Sequence, residues 1–273
     1  MKELGFNMLR KHAKIEPERF YYHCDQLGML VWQDMVNGGS AYKHWFVTYL
    51  ATLMNWNHIS FSDDEKHAGL LSRLHPEGKD EFRREITETI AFLYNHPSIV
   101  VWVPFNEGWG QFDALAVCEQ IRTLDSSRLV DHASGWFDQK GGDILSLHYY
   151  FLKLKFKPES KRAAALTEFG GYSLSIPGHS CCKKVYGYKK FNSTGTLTYG
   201  YIDLIRQTIL PAVKKGIGAT VYTQLSDIEE ETNGIYTYDR EICKIDPDTL
   251  RKWNRALKEA GECKTYADHT TDH

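Results

Sequence analysis

Two glutamates, Glu107 and Glu168, come just after short apolar runs, and each is followed within two residues by glycine. The first lies in VVWVPFNEGWGQ (100–111) and the second in AALTEFGG (164–171). A strand-end acid can simply cap a following helix or pair with a lysine. Neither glutamate precedes a clear helix start, however, and a glycine that follows closely lets a ligand approach the backbone. The pattern therefore favours a functional role for both carboxylates.

Two carboxylates that face each other across a pocket are typical of glycoside hydrolysis. One, held neutral, protonates the leaving oxygen, and the other, kept ionised, attacks the anomeric carbon or activates water. Trp109 and Trp136 lie near strand ends, where indole rings can stack on a sugar. Trp32 and Trp102 lie inside apolar runs, which is more typical of core residues.

Seven short β-rich runs must position these side chains, and they alternate with longer segments of helical period. The runs are NMLR near residue 7, GMLVWQD (28–34), IVVWVP (99–104), LVDHA (129–133), DILSLHYY (143–150), AALTEF (164–169) and ATVYTQL (219–225). Such alternation predicts a parallel sheet with crossover helices, and seven strands favour an α/β (β/α)8 TIM barrel with seven of its eight strands. We expect one domain over residues 1–260 and a flexible tail over 261–273.

Other polar residues also fall at the carboxyl ends of the predicted strands. They are Asp34, His148, Tyr149 and Asp227. Because active sites of TIM barrels lie at this face, we expect these residues to line one rim together with the two glutamates.

Composition excludes several classes of partner. The chain has 273 residues, a net charge of −2 and a pI near 6.6, so it offers no long-range field for nucleic acid or an anionic membrane. It contains neither a long apolar run nor a signal-peptide pattern after Met1, which predicts a soluble protein without a membrane partner and leaves its compartment open. The cysteines and histidines lack metal-site spacings, so we expect no metal and no cofactor, and metal-dependent hydrolysis is disfavoured.

Several motifs together resemble the catalytic domain of glycoside hydrolase family 2, the β-galactosidase, β-glucuronidase and β-mannosidase group. They occur in the family's order along nearly the whole chain: GFNMLR (5–10), YHCDQLGMLVWQD (22–34), NEGWGQ (106–111), TEFGG (167–171) and QLSDIEEETNGIYTYDR (224–240). The resemblance implies a retaining β-glycosidase that works by double displacement on an oligosaccharide or aryl β-glycoside. We expect a β-galactoside-like substrate, although no residue singles out galactose from glucuronate or mannose.

The resemblance also implies roles for individual residues. Glu107 would be the acid/base and Glu168 the nucleophile, while Asn106 would bind the sugar 2-hydroxyl. Arg10 would support the charge of the nucleophile, and Tyr149 would donate a hydrogen bond to it, with Tyr150 as the rival for that role.

The sequence departs from the family pattern at two positions. RKHAKIEP (10–17) stands where many members have R-x-x-H-Y-P, so a role for His12 does not carry over directly. Thr223 stands where tryptophan is frequent at the end of the last strand.

The resemblance further implies that the family's first barrel strand and its upstream sandwich domains are missing from this chain. Loss of a strand would leave unpaired sheet edges, so we expect the isolated chain to aggregate and to be weakly active or inactive. A catalytically inactive carbohydrate-binding barrel, or a truncated fragment, therefore remains the alternative to an enzyme.

Overall fold

The computed structural model describes residues 1–43, 45–56, 59, 61–150 and 154–268. These residues form two compact units. We call them the Glu107 unit, which comprises Asn7–His148 and Glu159–Ala163, and the Glu168 unit, which comprises Met1–Phe6, Tyr149–Pro158 and the described residues of Ala164–His273. Among the described residues, no helix combines the length and the apolar character needed to span a bilayer.

The Glu107 unit is built on a parallel four-stranded sheet whose strands follow one another in chain order. Its strands are β1 (Met8–Lys11), β2 (Leu30–Asp34), β3 (Ile99–Val103) and β4 (Leu129–Val130), and β5 (Ile144–Tyr149) follows. The helices between them are α1 (Glu18–Leu27), α2 (Ala51–Trp56), α3 (Pro76–Leu93) and α4 (Ala114–Leu124), and a π-helical turn covers Trp45–Leu50. This adjacency of successive parallel strands is the connection expected of βα units.

Helices α1 and α3 have boundary residues that are typical of helix ends. Pro17 is the N-cap residue of α1, and Gly28 ends it in the left-handed conformation, with φ of 60°. Helix α3 has Pro76 in its first turn. Its apolar stripe of Phe82, Ile86, Ile90 and Leu93 is buried.

Asp125 ties the end of α4 to the sheet. It accepts hydrogen bonds from Trp102 Nε1 (2.9 Å), Ser127 Oγ (2.6 Å) and Arg128 (2.6 Å). Burial raises the pKa of the Asp125 carboxyl, but these donors outweigh burial and lower that pKa to about 2. The ionised carboxylate therefore stabilises the folded chain.

The Glu168 unit contains the parallel pair β6 (Ala163–Gly170) and β9 (Ile217–Thr223). Along the chain between them, β7 (Tyr172–Ser173) and β8 (Lys189–Lys190) form a separate short parallel pair. Its helices are α5 (Thr194–Leu204), α6 (Leu210–Lys214), which follows a π-helical turn at Ile205–Ile209, and α7 (Pro247–Asp268). All seven predicted strands are therefore present, and β7 and β8 are additions. Helix α7 continues through the first part of the predicted 261–273 tail, whose residues 269–273 lie outside the described residues.

A buried ion pair stabilises the Glu168 unit. Lys244 is fully buried and donates hydrogen bonds to Asp227 Oδ1 (2.6 Å) and to the carbonyl oxygens of Leu174 and Thr232 (both 2.9 Å). Burial raises the pKa of Asp227 and lowers that of Lys244, and their mutual attraction opposes both shifts. The predicted rim residue Asp227 thus lies in a buried structural pair.

Candidate active site

Glu107 lies in a tight turn directly after β3. Its φ is 51°, in the left-handed region that a glutamate rarely adopts. Its backbone N–H donates to the carbonyl oxygen of Ser134 (2.9 Å), and Asn106 forms a β-bridge with the same residue. A residue held in this region costs on the order of 1–3 kcal/mol, and such strain is concentrated at functional sites.

The two glycines that follow Glu107 are required by close packing. A Cβ on Gly108 would lie 2.3 Å from the Phe137 ring, and a Cβ on Gly110 would lie 2.8 Å from the Gly38 carbonyl oxygen. Both glycines also have positive φ, of 72° and 64°. The NEGWGQ spacing is therefore explained by the turn itself.

Arg73, which no sequence pattern distinguishes, anchors the far side of this turn. Its guanidinium donates to the Gly110 carbonyl oxygen (2.8 Å), to the Gly78 carbonyl oxygen (2.9 Å) and to Asn37 Oδ1 (2.6 Å). The Asn37 amide donates in turn to the carbonyl oxygen of Trp109. The guanidinium of Arg73 therefore holds the backbone that follows Glu107 in place.

The Glu107 carboxylate contacts the ring of His148. Glu107 Oε1 lies 2.8 Å from His148 Nδ1, and the two side chains are 18% and 2% exposed. We expected His148 at the rim as a sugar ligand. The structure places it against Glu107, where it contacts one carboxylate oxygen and does not appear in the described lining of the cavity.

Arg10 organises the other polar residues at the ends of β1 and β2. It donates to both oxygens of Asp34 (3.0 and 2.8 Å) and to Asn106 Oδ1 (2.8 Å). His12 Nδ1 lies 2.8 Å from Asp34 Oδ2. Burial raises the pKa of Asp34, but the charge of Arg10 and the hydrogen bonds from His12 and Arg10 hold that pKa below its usual range. These contacts orient Asn106 beside Glu107, and the expected effect of Arg10 on Glu168 stays a prediction.

A cavity of about 350 Å³ opens in front of Glu107. Its polar lining includes Asn106, Asp34 and His12, and its aromatic lining includes Trp109 and Tyr42. The two rings meet edge to face with their centroids 4.2 Å apart. The volume lies within the range of small-molecule pockets, and the wall combines apolar and polar groups as a sugar site does.

Trp136 is placed differently from Trp109. It packs against a buried apolar cluster formed by Phe46, Val47, Ala51, Leu71 and Phe137. Trp109 also contacts this cluster but in addition lines the cavity. Trp136 therefore supports the packing near the site, and its expected contact with a sugar stays a prediction.

In the Glu168 unit, the nucleophile candidate is held by Tyr150. The Tyr150 hydroxyl donates to Glu168 Oε2, and its oxygen lies 3.2 Å from Thr223 Oγ1. The Tyr150 ring stacks on Tyr188 with centroids 4.0 Å apart. The neighbouring Tyr149 instead lies near Tyr172. Burial raises the pKa of Tyr172, and the proximity of Tyr149 adds to this rise. The hydrogen bond expected from Tyr149 thus belongs to its rival, Tyr150.

One surface group in the Glu168 unit has the side-chain types of a metal site. Donor atoms of His179, Asp239 and Glu241 lie within 4.8 Å of one another. His179 Nδ1 is already 2.7 Å from Asp239 Oδ2, so an exposed ion pair accounts for the arrangement. The expected lack of a metal and of a cofactor stays a prediction.

Comparison with known proteins identifies the family. Residues 1–210 match the model of the glycosyl hydrolases family 2 TIM barrel domain. A β-galactosidase from Leuconostoc mesenteroides subsp. mesenteroides is 26% identical over 97% of this chain, which spans 24% of that protein. A β-mannosidase B from Thermothelomyces thermophilus is 32% identical over 34% of this chain, and the match spans 8% of that protein.

Two solved structures share the fold. A β-D-glucuronidase from Dictyoglomus thermophilum has a TM-score of 0.64 at 16% identity, and a β-galacturonidase from Eisenbergiella tayi has a TM-score of 0.63 at 18% identity. Each similarity covers 93% of this chain and 45% of the solved one. The predicted TIM barrel is confirmed, and the chain belongs to the TIM barrel domain family of the family 2 glycosyl hydrolases.

Proposed function

We propose that this chain provides the acid/base and the nucleophile of a retaining β-glycosidase. Glu107 is the acid/base and Glu168 the nucleophile. The observation that carries the proposal is that each strand-end glutamate has its own polar partner: His148 contacts one oxygen of Glu107, and Tyr150 donates to one oxygen of Glu168. Each carboxylate is thus oriented by a partner that contacts one of its oxygens.

The reaction runs in two displacements. In the first, Glu168 forms a bond to the anomeric carbon while the glycosidic bond breaks and Glu107 transfers its proton to the leaving oxygen. In the second, Glu107 takes a proton from water as that water attacks the anomeric carbon, which releases Glu168. Asn106, which Arg10 orients, would bind the sugar 2-hydroxyl.

The substrate that we propose is a neutral β-pyranoside, with β-galactosides preferred. The described residues that line the cavity include the acids Asp34 and Glu107 and neither lysine nor arginine. The carboxylate of a uronic acid would therefore find no lysine or arginine in this lining to pair with, which favours a neutral sugar. The β-galactosidase similarity over 97% of the chain supports galactose over the mannose suggested by a match to 34% of it.

A panel of aryl β-glycosides with matched Gln variants tests the proposal. Glu168→Gln should abolish turnover of every substrate. Glu107→Gln should spare formation of the glycosyl-enzyme from substrates with activated leaving groups, because these need little protonation. Glu88→Gln, at an exposed position of α3, is the control and should behave like the parent.

A 2-fluoro glycoside should trap a covalent adduct on Glu168, which mass spectrometry of peptides would locate. An adduct on another residue, or equal losses for both site variants on an activated substrate, contradicts the assigned roles. A chain that melts cooperatively and binds these glycosides but hydrolyses none of them favours the carbohydrate-binding barrel or the truncated fragment over the enzyme.

A further inference from the structure

The tyrosine that contacts the nucleophile candidate is itself held by a second ring. Tyr150 lies just past the end of β5, and its hydroxyl donates to Glu168 Oε2. One face of its ring is covered by Tyr188, with the ring centroids 4.0 Å apart and the ring planes 22° from parallel. Tyr188 lies directly before β8 and is 40% exposed, so the stack lies at the surface of the Glu168 unit. The direction of the Tyr150 hydroxyl therefore depends on a contact with another part of the chain.

The stack restrains a side chain that core packing does not fix. A tyrosine turns about two bonds, so the hydroxyl at its tip moves over a wide arc unless the ring is held. Tyr150 is only half-buried. A stacked aromatic partner restricts both torsions, because few orientations keep the two faces in contact. Donors that are aligned before the reaction contribute most to catalysis, since they need no reorganisation in the transition state.

Gly171 makes room for both rings at the end of β6. A Cβ at this position would lie 2.3 Å from Tyr188 Cδ2 and 3.1 Å from Tyr150 Cδ1. The carbonyl oxygen of Gly171 accepts the backbone N–H of Tyr188 (3.1 Å), and its own N–H donates to the Thr223 carbonyl oxygen (2.9 Å). The second glycine of the TEFGG motif is therefore required by the stack, close along the chain to Glu168.

The segment that carries Tyr188 is fixed on both sides. After it, the parallel pair β7 and β8 ties the chain back to the residues that follow β6. Before it, the Tyr186 N–H donates to the Glu230 carbonyl oxygen (2.7 Å), and the Tyr186 carbonyl oxygen accepts from the Thr232 N–H (3.2 Å). The Tyr186 ring also meets the Tyr188 ring edge to face, with centroids 5.9 Å apart. Because the backbone is paired on either side of Tyr188, its ring presents a fixed surface to Tyr150.

We propose that Tyr188 is a positioning residue for the nucleophile: its ring, stacked on Tyr150, holds the hydroxyl that orients Glu168. The inference rests on the proposed role of Glu168. It gives the loop between β7 and β8 a part in the first displacement, in which the carboxylate has to be aligned with the anomeric carbon.

Single variants should lower the rate of the first displacement in a graded way. Tyr188→Ala leaves the Tyr150 ring free to turn, so we expect this rate, followed with an activated aryl β-glycoside, to fall about fivefold. Such a loss corresponds to about 1 kcal/mol, which is the size of an aromatic pair interaction. Tyr188→Phe keeps the stacking face and should restore the rate to within about twofold of the parent. Tyr199→Ala, at a 73% exposed position of α5, is the control and should change nothing.

A double-variant cycle separates positioning from simple support of the fold. Tyr150→Phe keeps the ring and removes the hydroxyl. In this background, Tyr188→Ala should still lower the free energy of unfolding in urea, because the two rings still stack, but it should lower the rate of the first displacement no further. A rate loss of the same size in both backgrounds would show that Tyr188 does not act through the hydroxyl, and would overturn the inference.

Nuclear magnetic resonance of tyrosine labelled with ¹³C at Cζ tests the same contact in the whole chain without requiring activity. Tyr150→Phe assigns the signal, and Glu168→Leu gives its position when the hydroxyl has lost its carboxylate acceptor. Tyr188→Ala should move the Tyr150 signal toward the Glu168→Leu position, whereas Tyr188→Phe and Tyr199→Ala should leave it in place. If Tyr188→Ala does not fold, Tyr188→Leu, which keeps an apolar side chain without a flat face, replaces it.

The two readouts distinguish failure of the inference from failure of the proposed function. A Tyr150 signal that stays at the parent position in Tyr188→Ala, or one that Glu168→Leu does not move, overturns the inference. A parent chain without turnover contradicts only the proposed function, since the Cζ signal is measured independently.

Discussion

Arg73 offers a strong test of how the turn that carries Glu107 is held. It is 6% exposed, and its three hydrogen bonds all end on neutral oxygens, those of Gly110, Gly78 and Asn37. Its guanidinium also lies 4.9 Å from the centre of the Phe82 ring. Burial accordingly lowers the pKa of Arg73.

Arg73→Met removes the three hydrogen bonds while keeping an apolar side chain of similar length. Hydrogen bonds from a charged donor contribute about 1.5–3 kcal/mol each. The variant also avoids the cost of burying a charged guanidinium, however, and this offsets several kcal/mol of the loss. We therefore expect a net loss of about 3 kcal/mol in the free energy of unfolding. Arg73→Lys retains the charge but not the planar guanidinium with its several donors, so its free energy of unfolding should fall by about 2 kcal/mol.

Urea unfolding followed by tryptophan fluorescence measures this loss, since most tryptophans belong to the Glu107 unit. These are Trp32, Trp45, Trp56, Trp102, Trp109 and Trp136. Hydrogen exchange of the Trp109 amide, which donates to the Asn106 carbonyl oxygen (3.0 Å), should accelerate in the same variants. Arg84→Met, at an exposed α3 position, is the control and should change stability by less than about 0.5 kcal/mol. A loss below about 1 kcal/mol in Arg73→Met, with unchanged exchange at Trp109, would refute the role of the Arg73 guanidinium.

Three other predictions concern the ion pair, acid stability and the nucleophile. Lys244→Met should lower the free energy of unfolding, measured by heat or urea, by about 3–5 kcal/mol because Asp227 then stays buried and unpaired. Adding Asp227→Asn should restore part of this loss. If the loss in the double variant equals the sum of the losses in the two single variants, the two residues do not act as a pair. Asp125, with a folded-state pKa of about 2 against about 3.9 when unfolded, should stabilise the chain above pH 4 and lose that contribution as the pH falls through 2. Asp125→Asn should flatten this slope in acid titrations of stability, and an unchanged slope would exclude its role. Tyr150→Phe should reduce turnover of aryl glycosides about tenfold or more, and Tyr149→Phe should reduce it much less. The opposite order would indicate that Tyr149, and not Tyr150, donates the hydrogen bond to Glu168.

The strands and the two glutamates were predictable because their signals are local. A run such as Val100–Val103 has the length and β-branched content of a buried strand, and an acid directly after it has to emerge at the end of that strand. The two-residue strands β7 and β8 carry no periodicity, since a period of two cannot be recognised in so few residues. The choice between Tyr149 and Tyr150 also escaped prediction, because a shift of one residue turns a side chain to the opposite face.

The supporting residues were missed because their roles depend on contacts between distant parts of the chain. Arg73 is one of 33 basic residues, and its acceptors are backbone and amide oxygens that leave no mark in the sequence. Tyr188 is one of 16 tyrosines, and no sequence pattern indicates that its ring stacks on that of Tyr150. The place of His148 at a strand end is predictable, but its contact with Glu107 spans 41 positions of the chain.

The strain at Glu107 explains why so many contacts converge on one turn. A glutamate with φ of 51° is unfavourable locally, and a glycine there would relieve the strain but would have no carboxylate. The turn is held from one side by the Ser134 carbonyl oxygen and from the other by Arg73 through Gly110. Both anchors act on the backbone, so the turn does not depend on contacts of the Glu107 side chain. The contact with His148 sets the direction of that side chain. Local instability at the catalytic carboxyl is thereby offset by contacts that take no part in the chemistry.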